Sequence, residues 1–394
     1  MAGLNETPRG NRIHIAFFGL RNAGKSTLVN AFTGQNIAIV SDVPGTTTDP
    51  VSKAMEILPL GPCLVTDTAG LDDEGELGEQ RVRKTLKVLE TVDIAVWVDG
   101  RAASPLAAAA RRDCAPYQLV ANACVQRKIP LFEYNRGDSV EGLKEKIAAV
   151  KLEEKVPGLL DGLVKKGDRV LCVVPIDESA PKGRLILPQQ QVIRECLDKG
   201  VVCAICQPAE FEKFGSLEVS RFSLVVTDSQ AFGEVSKHLN LQTSKPRITS
   251  FSVLFARQKG DLQEFVKGLK AIGSLKDGDT VLVAEGCTHH RQCNDIGAVK
   301  IPKALEKLSG RKLKFEFASG GSFEVSAPVA EDRDGTVKLV VHCGGCMLTR
   351  REMLRRIART KEAGVPIVNY GLVLAQASGF DIENLMFAEL TANN

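Results

Sequence analysis

IHIAFFGLRNAGKSTLVNAFTG, residues 13–34, decides the first part of the fold. Ile13 to Phe18 is a short apolar run bounded by glycine, which predicts a buried strand, and KSTLVNAFTG predicts a helix. Between them GLRNAGKS, residues 19–26, has the spacing G-x-x-x-x-G-K-S. After a strand and at the head of a helix, that spacing reads as a phosphate-binding loop rather than a chance glycine-rich turn. Gly19 and Gly24 let the backbone wrap so that N–H groups, including those around Asn22, Ala23 and Thr27, aim at phosphate oxygens. Lys25 supplies a point charge, Ser26 can ligate Mg²⁺, and the helix N-terminus adds partial positive charge.

Outward from this loop, residues 12 to about 150 alternate short apolar runs (CLVTDTAG, DIAVWVDG, IPLFEYN) with helix-compatible stretches (GEQRVRKTLKVLE). That alternation predicts a parallel sheet with crossover helices. A charged, Gly-containing stretch, KLEEKVPGLLDGLVKKGD, reads as a junction, after which DRVLCVVPID, QQQVIRECLDKG, VVCAICQP, FSLVVTD and QAFGEVSKHL resume the pattern. GDLQEFVKGLKAIGSL, DTVLVAEG, IPKALEKLSG, KLKFEF, KLVVHCGGC and the basic TRREMLRRIARTKEAG complete it. The fold class is therefore α/β: a P-loop domain over 1–155 followed by two smaller α/β domains, 156–262 and 263–394, the last with a metal site at its strand ends.

Composition narrows the function. Lys and Arg total 51 against 48 Asp and Glu, a formal charge of +3, and the signs are interspersed. A large nucleic-acid footprint rests on clustered cations, so nucleic acid is not an expected partner. The opening MAGLNETPRGNR lacks an apolar signal core and no apolar run is long enough to span a bilayer, so neither export nor a membrane is expected. Eleven cysteines without an export signal point to reduced thiols or metal ligands in the cytoplasm.

PGTTTD, residues 44–49, and DTAG, residues 67–70, follow the loop. Together they resemble the switch elements of the translation-factor-like GTPases, especially those with GTT in the switch loop. The resemblance implies GTP and Mg²⁺, with Thr47 on the metal, Asp67 at the strand end beside it, Lys25 on the phosphates and Gly70 in the second switch. It also makes Asn22 the match to the asparagine that helps seat K⁺ in potassium-activated members. Leu71 stands where a catalytic glutamine would, so slow hydrolysis is expected. For the base, EYNRGD offers Asn135, Arg136 and Asp138 in place of N-K-x-D, and no Ser-Ala-Lys element follows before SVEGLKEKI. Asp138 can accept from guanine N–H groups while the O6 side is left under-contacted.

CTHH at 287–290 and HCGGCM at 342–347 each follow a strand-like run, giving C-x-H-x(52)-H-C-x-x-C. Two cysteines three apart on a turn can share one ion, and parallel neighbouring strands would carry both groups to one sheet edge. Buried cysteines can also pack as small apolar groups, and Cys₃His is an ordinary zinc set, so composition leaves zinc and iron both open. VVCAICQP contains a second C-x-x-C, but Cys203 and Cys206 lie within a strand, where residues three apart face opposite sides, and read as core. Cys63, Cys114, Cys124, Cys172 and Cys196 read as packing residues, and Cys293 is a reserve ligand.

The pairing of a P-loop with this cysteine–histidine pattern resembles the HydF family, GTPase scaffolds of [FeFe]-hydrogenase maturation. VVPIDESAPKGRLILPQQQVIRECLDKG is similar to that family's middle segment, so the likeness covers nearly the whole chain. It implies a [4Fe–4S] cluster on Cys287, Cys343 and Cys346, with His289, His290 or His342 as the labile fourth ligand. It further implies a homodimer formed through 156–262 and a transient 2Fe precursor received from the radical-enzyme maturases HydE and HydG and passed to the apo-hydrogenase. A GTPase with a structural zinc module, acting in RNA modification or ribosome assembly, is the competing reading, and an electron-transfer protein a weaker third. The basic helix TRREMLRRIARTK is expected to be a solvated face or to meet an acidic partner.

Overall fold

The structure, a computed structural model, describes residues 7, 9–34, 51–72, 75–151, 157–176, 185–240, 246–286, 295–320, 323 and 336–379. It divides into two compact units, Met1–Lys155 and Val156–Asn394.

The first unit is a five-stranded sheet of order β2-β3-β1-β4-β5, built from β1 (Ile13–Phe18), β2 (Val51–Ile57), β3 (Gly61–Asp67), β4 (Ile94–Asp99) and β5 (Leu131–Asn135). All pairings are parallel except β2 with β3, so the edge strand VSKAMEI, which the crossover pattern did not announce, closes the sheet as an antiparallel hairpin. Successive residues of β1 face opposite sides: Ile15 and Phe17 join Phe32, Val65 and Val96 on one face, and Ala16 and Phe18 join Leu71, Trp97 and Cys124 on the other. A strand buried on both faces is largely apolar, and the one polar side chain of IHIAFF, His14, has its Nε2 3.0 Å from the Arg9 carbonyl. Each fully buried Ile, Val, Leu or Phe side chain among these contributes about 1.5–3 kcal/mol relative to exposure.

The second unit holds two four-stranded, wholly parallel sheets. One has the order β7-β6-β8-β9, from β6 (Arg169–Val173), β7 (Val202–Cys206), β8 (Leu224–Thr227) and β9 (Arg247–Ser250). The other has the order β11-β10-β12-β13, from β10 (Thr280–Glu285), β11 (Lys314–Ser319), β12 (Val337–His342) and β13 (Ile367–Asn369). The segments expected as separate domains on either side of residue 262 share one core here: Val170, Cys172, Val192 and Leu224 join Phe251, Phe255, Val283, Val341 and Leu372. The helix Phe251–Lys259, packed between them, is buried along most of its length. Among the described residues no helix is long and apolar enough to cross a membrane.

Candidate functional site

The loop after β1 has the backbone its sequence requires. Gly19, Asn22 and Gly24 take φ of 158°, 58° and 89°, and a Cβ on Gly19 would stand 2.5 Å from the Val98 carbonyl oxygen. Asn22 is a non-glycine residue in the left-handed region, a conformation that asparagine tolerates better than most. Ala23 N–H donates to the Leu20 carbonyl (3.3 Å), and the helix Lys25–Thr33 starts directly, with Gly24 at its cap. Lys25 is buried and donates to the carbonyls of Leu20 (2.7 Å) and Gly19 (3.3 Å), folding its ammonium over the loop. Thr27 lies exposed one residue beyond Ser26.

Ser26 Oγ donates to Asp67 Oδ2 at 2.6 Å. Asp67 is buried, and its Oδ1 has no hydrogen-bond partner among the described residues. Burial pushes its carboxyl above the usual range, opposed by the Ser26 hydrogen bond and the Lys25 charge. A carboxylate with one satisfied and one orphaned oxygen beside a serine hydroxyl fits a hard divalent cation such as Mg²⁺. Gly70 is needed for contact: a Cβ there would lie 2.8 Å from the Arg21 nitrogen. Leu71 is buried among Phe18, Trp97 and Val120, and its N–H donates to the Gly19 carbonyl (3.3 Å), so this position packs and orients no water. Thr47 lies outside the described residues.

Asn135 and Asp138, expected to read the base, bond to each other. Asp138 Oδ2 accepts from the Asn135 backbone N–H (2.7 Å) and side-chain Nδ2 (3.0 Å). Sequence reasoning missed Arg111, on the helix Pro105–Arg112, which is buried and donates to Asn135 Oδ1, Glu133 Oε2 and Asp99 Oδ2. Asp99 also takes a bidentate pair from Arg101 (2.8 and 2.9 Å). Burial alone would raise the Asp99 carboxyl, but the two guanidinium groups outweigh it and hold it below its ordinary value.

In the second unit β10 and β12 are parallel neighbours, with Ala284 opposite His342. Gly286 and Cys343 therefore leave the sheet at one edge, joined by a Gly286 N–H donation to Cys343 Sγ (3.2 Å) and a Cys343 N–H donation to the Ala284 carbonyl (2.9 Å). Gly345, at φ 65°, turns the chain between Cys343 and Cys346, and both cysteines pack against the core. Cys287, His289, His290 and Cys293 lie outside the described residues. Among the described residues no group of three or more His, Cys, Asp or Glu side chains is placed to hold a metal ion. The two described cysteines, one already accepting a backbone hydrogen bond at sulfur, suit a soft thiolate-bound metal but are half a ligand set.

His342 is fully buried with both ring nitrogens engaged. Arg356 Nη1, which can only donate, lies 2.9 Å from Nε2, so Nδ1 carries the proton and donates to the Cys343 carbonyl (2.8 Å). Burial, reinforced by the Arg356 charge, pushes the imidazole down to about 3. In this arrangement His342 holds the strand end instead of offering a lone pair to a metal. Arg356 also donates to Gly320 O (2.6 Å) and Glu352 (3.0 Å) and lies over the Phe323 ring.

The expectation of a solvated basic helix needs correction. On Arg350–Glu362, Met353, Arg356, Ile357 and Thr360 are buried, and Arg350 donates to the carbonyls of Gln258 and Gly260. Cys203 and Cys206 do face opposite sides of β7, one toward each core. Cys172 Sγ lies 3.8 Å from Cys203 Sγ across β6 and β7, a contact their sequence separation did not signal.

Comparison with known proteins follows this division. Residues 14–123 match the family described as 50S ribosome-binding GTPase. Among curated relatives, the tRNA modification GTPase MnmE of Methylobacterium sp. (strain 4-46) is 39% identical over 114 residues, 27% of this chain and 26% of that protein. GTPase Der of Xylella fastidiosa (strain M23) is 47% identical over 89 residues, 22% of this chain and 19% of that protein. The chain thus spans about a quarter or less of the length of these relatives. A crystal structure of Era in complex with MgGDPNP and a 16S ribosomal RNA segment aligns with 49% of this chain and 92% of its own at 16% identity, with a TM-score of 0.25. Residues 159–260 match the hydrogen maturase F dimerization domain, and residues 263–385 match the hydrogen maturase F tetramerization domain. These two matches take in more than half of the sequence and sit directly behind a GTPase domain, so the chain belongs to the hydrogen maturase F family.

Proposed function

We propose that this protein binds and hydrolyses GTP and carries a [4Fe–4S] cluster on Cys287, Cys343 and Cys346, as a homodimeric or higher-order scaffold that assembles or delivers the 2Fe precursor of the [FeFe]-hydrogenase site. The observation that carries the cluster part is the shared sheet edge: the parallel β10–β12 pairing sets the residue before Cys287 against Cys343. A cluster held by three thiolates would supply an iron with an exchangeable position, to which another group can attach. The protein's own part is to hold Cys343 and Cys346 on one turn, to hydrogen-bond the Cys343 sulfur and to keep the site against an apolar core. His289, His290 and His342 are the candidates for the fourth position, and His342 would have to exchange its Arg356 contact for the metal.

In the nucleotide unit, Lys25 and the loop N–H groups would bind phosphate, while Ser26 and Thr47 would hold Mg²⁺ with Asp67 beside it, accepting from Ser26. With Leu71 in the core, water would be positioned by backbone, by K⁺ beside Asn22 or by a partner, which supports slow, potassium-stimulated hydrolysis. The radical-enzyme maturases HydE and HydG and the apo-hydrogenase are the proposed exchange partners.

The test is iron, sulfide and zinc content with reduced-state EPR on protein purified without oxygen, beside Cys343→Ala. About four irons per chain and a signal lost in the variant support the proposal. Stoichiometric zinc that persists through iron reconstitution, with no cluster signal, overturns it in favour of a zinc-module GTPase.

A further inference from the structure

Lys259 ends the helix Phe251–Lys259 and is 2% exposed. Its ammonium donates to three backbone carbonyls of the cysteine turn and its exit, Leu348 (2.7 Å), Cys346 (2.9 Å) and Gly345 (3.4 Å), and stands 5.3 Å from the centre of the Phe255 ring. No carboxylate pairs with it among the described residues. A desolvated ammonium is ordinarily retained in a protein interior only beside an anion. The cysteine turn that it grips carries two groups that become anionic on binding metal, the Cys343 and Cys346 sulfurs.

We propose that Lys259 is a positioning residue for the cluster site: it shapes the Cys343–Cys346 turn before metal arrives and supplies the positive charge that balances the thiolates and cluster. The inference rests on the cluster reading above. It also makes the site composite within the second unit, because the lysine comes from the segment matched as dimerization domain and the cysteines from the segment matched as tetramerization domain.

Nearby positive charge stabilises the reduced, more negative cluster, so its removal lowers the midpoint potential. Losing a group that orients ligands typically costs about 10–100-fold in metal affinity. The experiment compares full-length wild type, Lys259→Gln and Lys259→Arg after anaerobic reconstitution. Read in each are iron and sulfide content, potentiometric midpoint potential and iron loss to a chelator. Lys259→Gln, which keeps a donor without the charge, should show a more negative potential and iron loss about tenfold faster or more; Lys259→Arg should restore the potential. An unchanged potential and release rate in Lys259→Gln overturns the inference. Failure of the wild type to bind a cluster overturns the functional reading instead. Hydrogen exchange on the metal-free wild type needs no variant: the Cys343 and Leu348 amides, bonded to Ala284 and Gly345, should be protected. Exchange as fast as in an open peptide refutes the preformed turn even if Lys259→Gln does not fold.

Discussion

Replacing Arg111 with methionine should destabilise the nucleotide-binding unit and loosen its base-reading loop together. The guanidinium ties Asp99 on β4 to Glu133 and Asn135 on β5, so one side chain staples two strand ends. Removing one partner of a buried pair costs about 3–5 kcal/mol. The lower end applies, since Asp99 keeps Arg101 and the Glu133 side chain is 42% exposed and can be rehydrated. With a urea slope of about 1.5 kcal/mol/M, a loss of about 3 kcal/mol moves the midpoint down by about 2 M. The chain's single tryptophan, Trp97, is buried in this sheet against Tyr117, so its fluorescence follows this unit during urea unfolding of the intact protein. Guanine-nucleotide affinity should fall in the same variant because Asn135 Oδ1 loses its Arg111 donor while Asp138 alone holds the side chain. A midpoint shift under about 0.3 M would show that the staple contributes little and refute the reasoning.

Acid should act through the same cluster. Asp99 is depressed in the folded state, so its contribution is complete above the ordinary aspartate value of about 4 and is lost as pH falls through the lower folded value. In Arg111→Met that folded value rises, and the acid limb of Trp97 fluorescence should begin at higher pH; superimposable limbs would count against the network. Gly70→Ala forces a methyl to within 2.8 Å of the Arg21 nitrogen and should weaken binding of a fluorescent GDP analogue; an affinity equal to wild type would show that the loop yields freely. His342→Gln should destabilise the metal-free protein by about 2–3 kcal/mol while leaving iron content and EPR line shape unchanged. Altered g-values would mean that His342 is a ligand after all.

The strand–loop–helix of the nucleotide site was legible because its requirements are local: two glycines, a lysine and a serine at fixed spacing. So was the placement of Cys343 at a strand end, since a Val-rich run followed by glycines breaks a strand. Lys259, Arg111 and Arg356 were not legible, because a charged residue in a helix looks exposed until tertiary contacts bury it. The RREMLRRIARTKE helix did carry its warning in Met353, Ile357 and Thr360, an i, i+4, i+7 stripe that turns inward and takes Arg356 with it. The contact of Cys172 with Cys203 depends on strand register, which spacing along the chain does not encode.

The hydrogen bond from Gly286 to the Cys343 sulfur joins residues 57 apart in sequence. During synthesis the first of these leaves the ribosome long before the second, and the intervening chain must supply β11 and bring β12 against β10 before the two meet. A nascent chain therefore has no complete site to offer iron. This order differs from small zinc modules, in which close-spaced ligands let the ion direct folding. With the cluster proposed above, the sheet would come first and the metal second, so cells short of iron should accumulate a folded, empty protein that can be filled later without being made again.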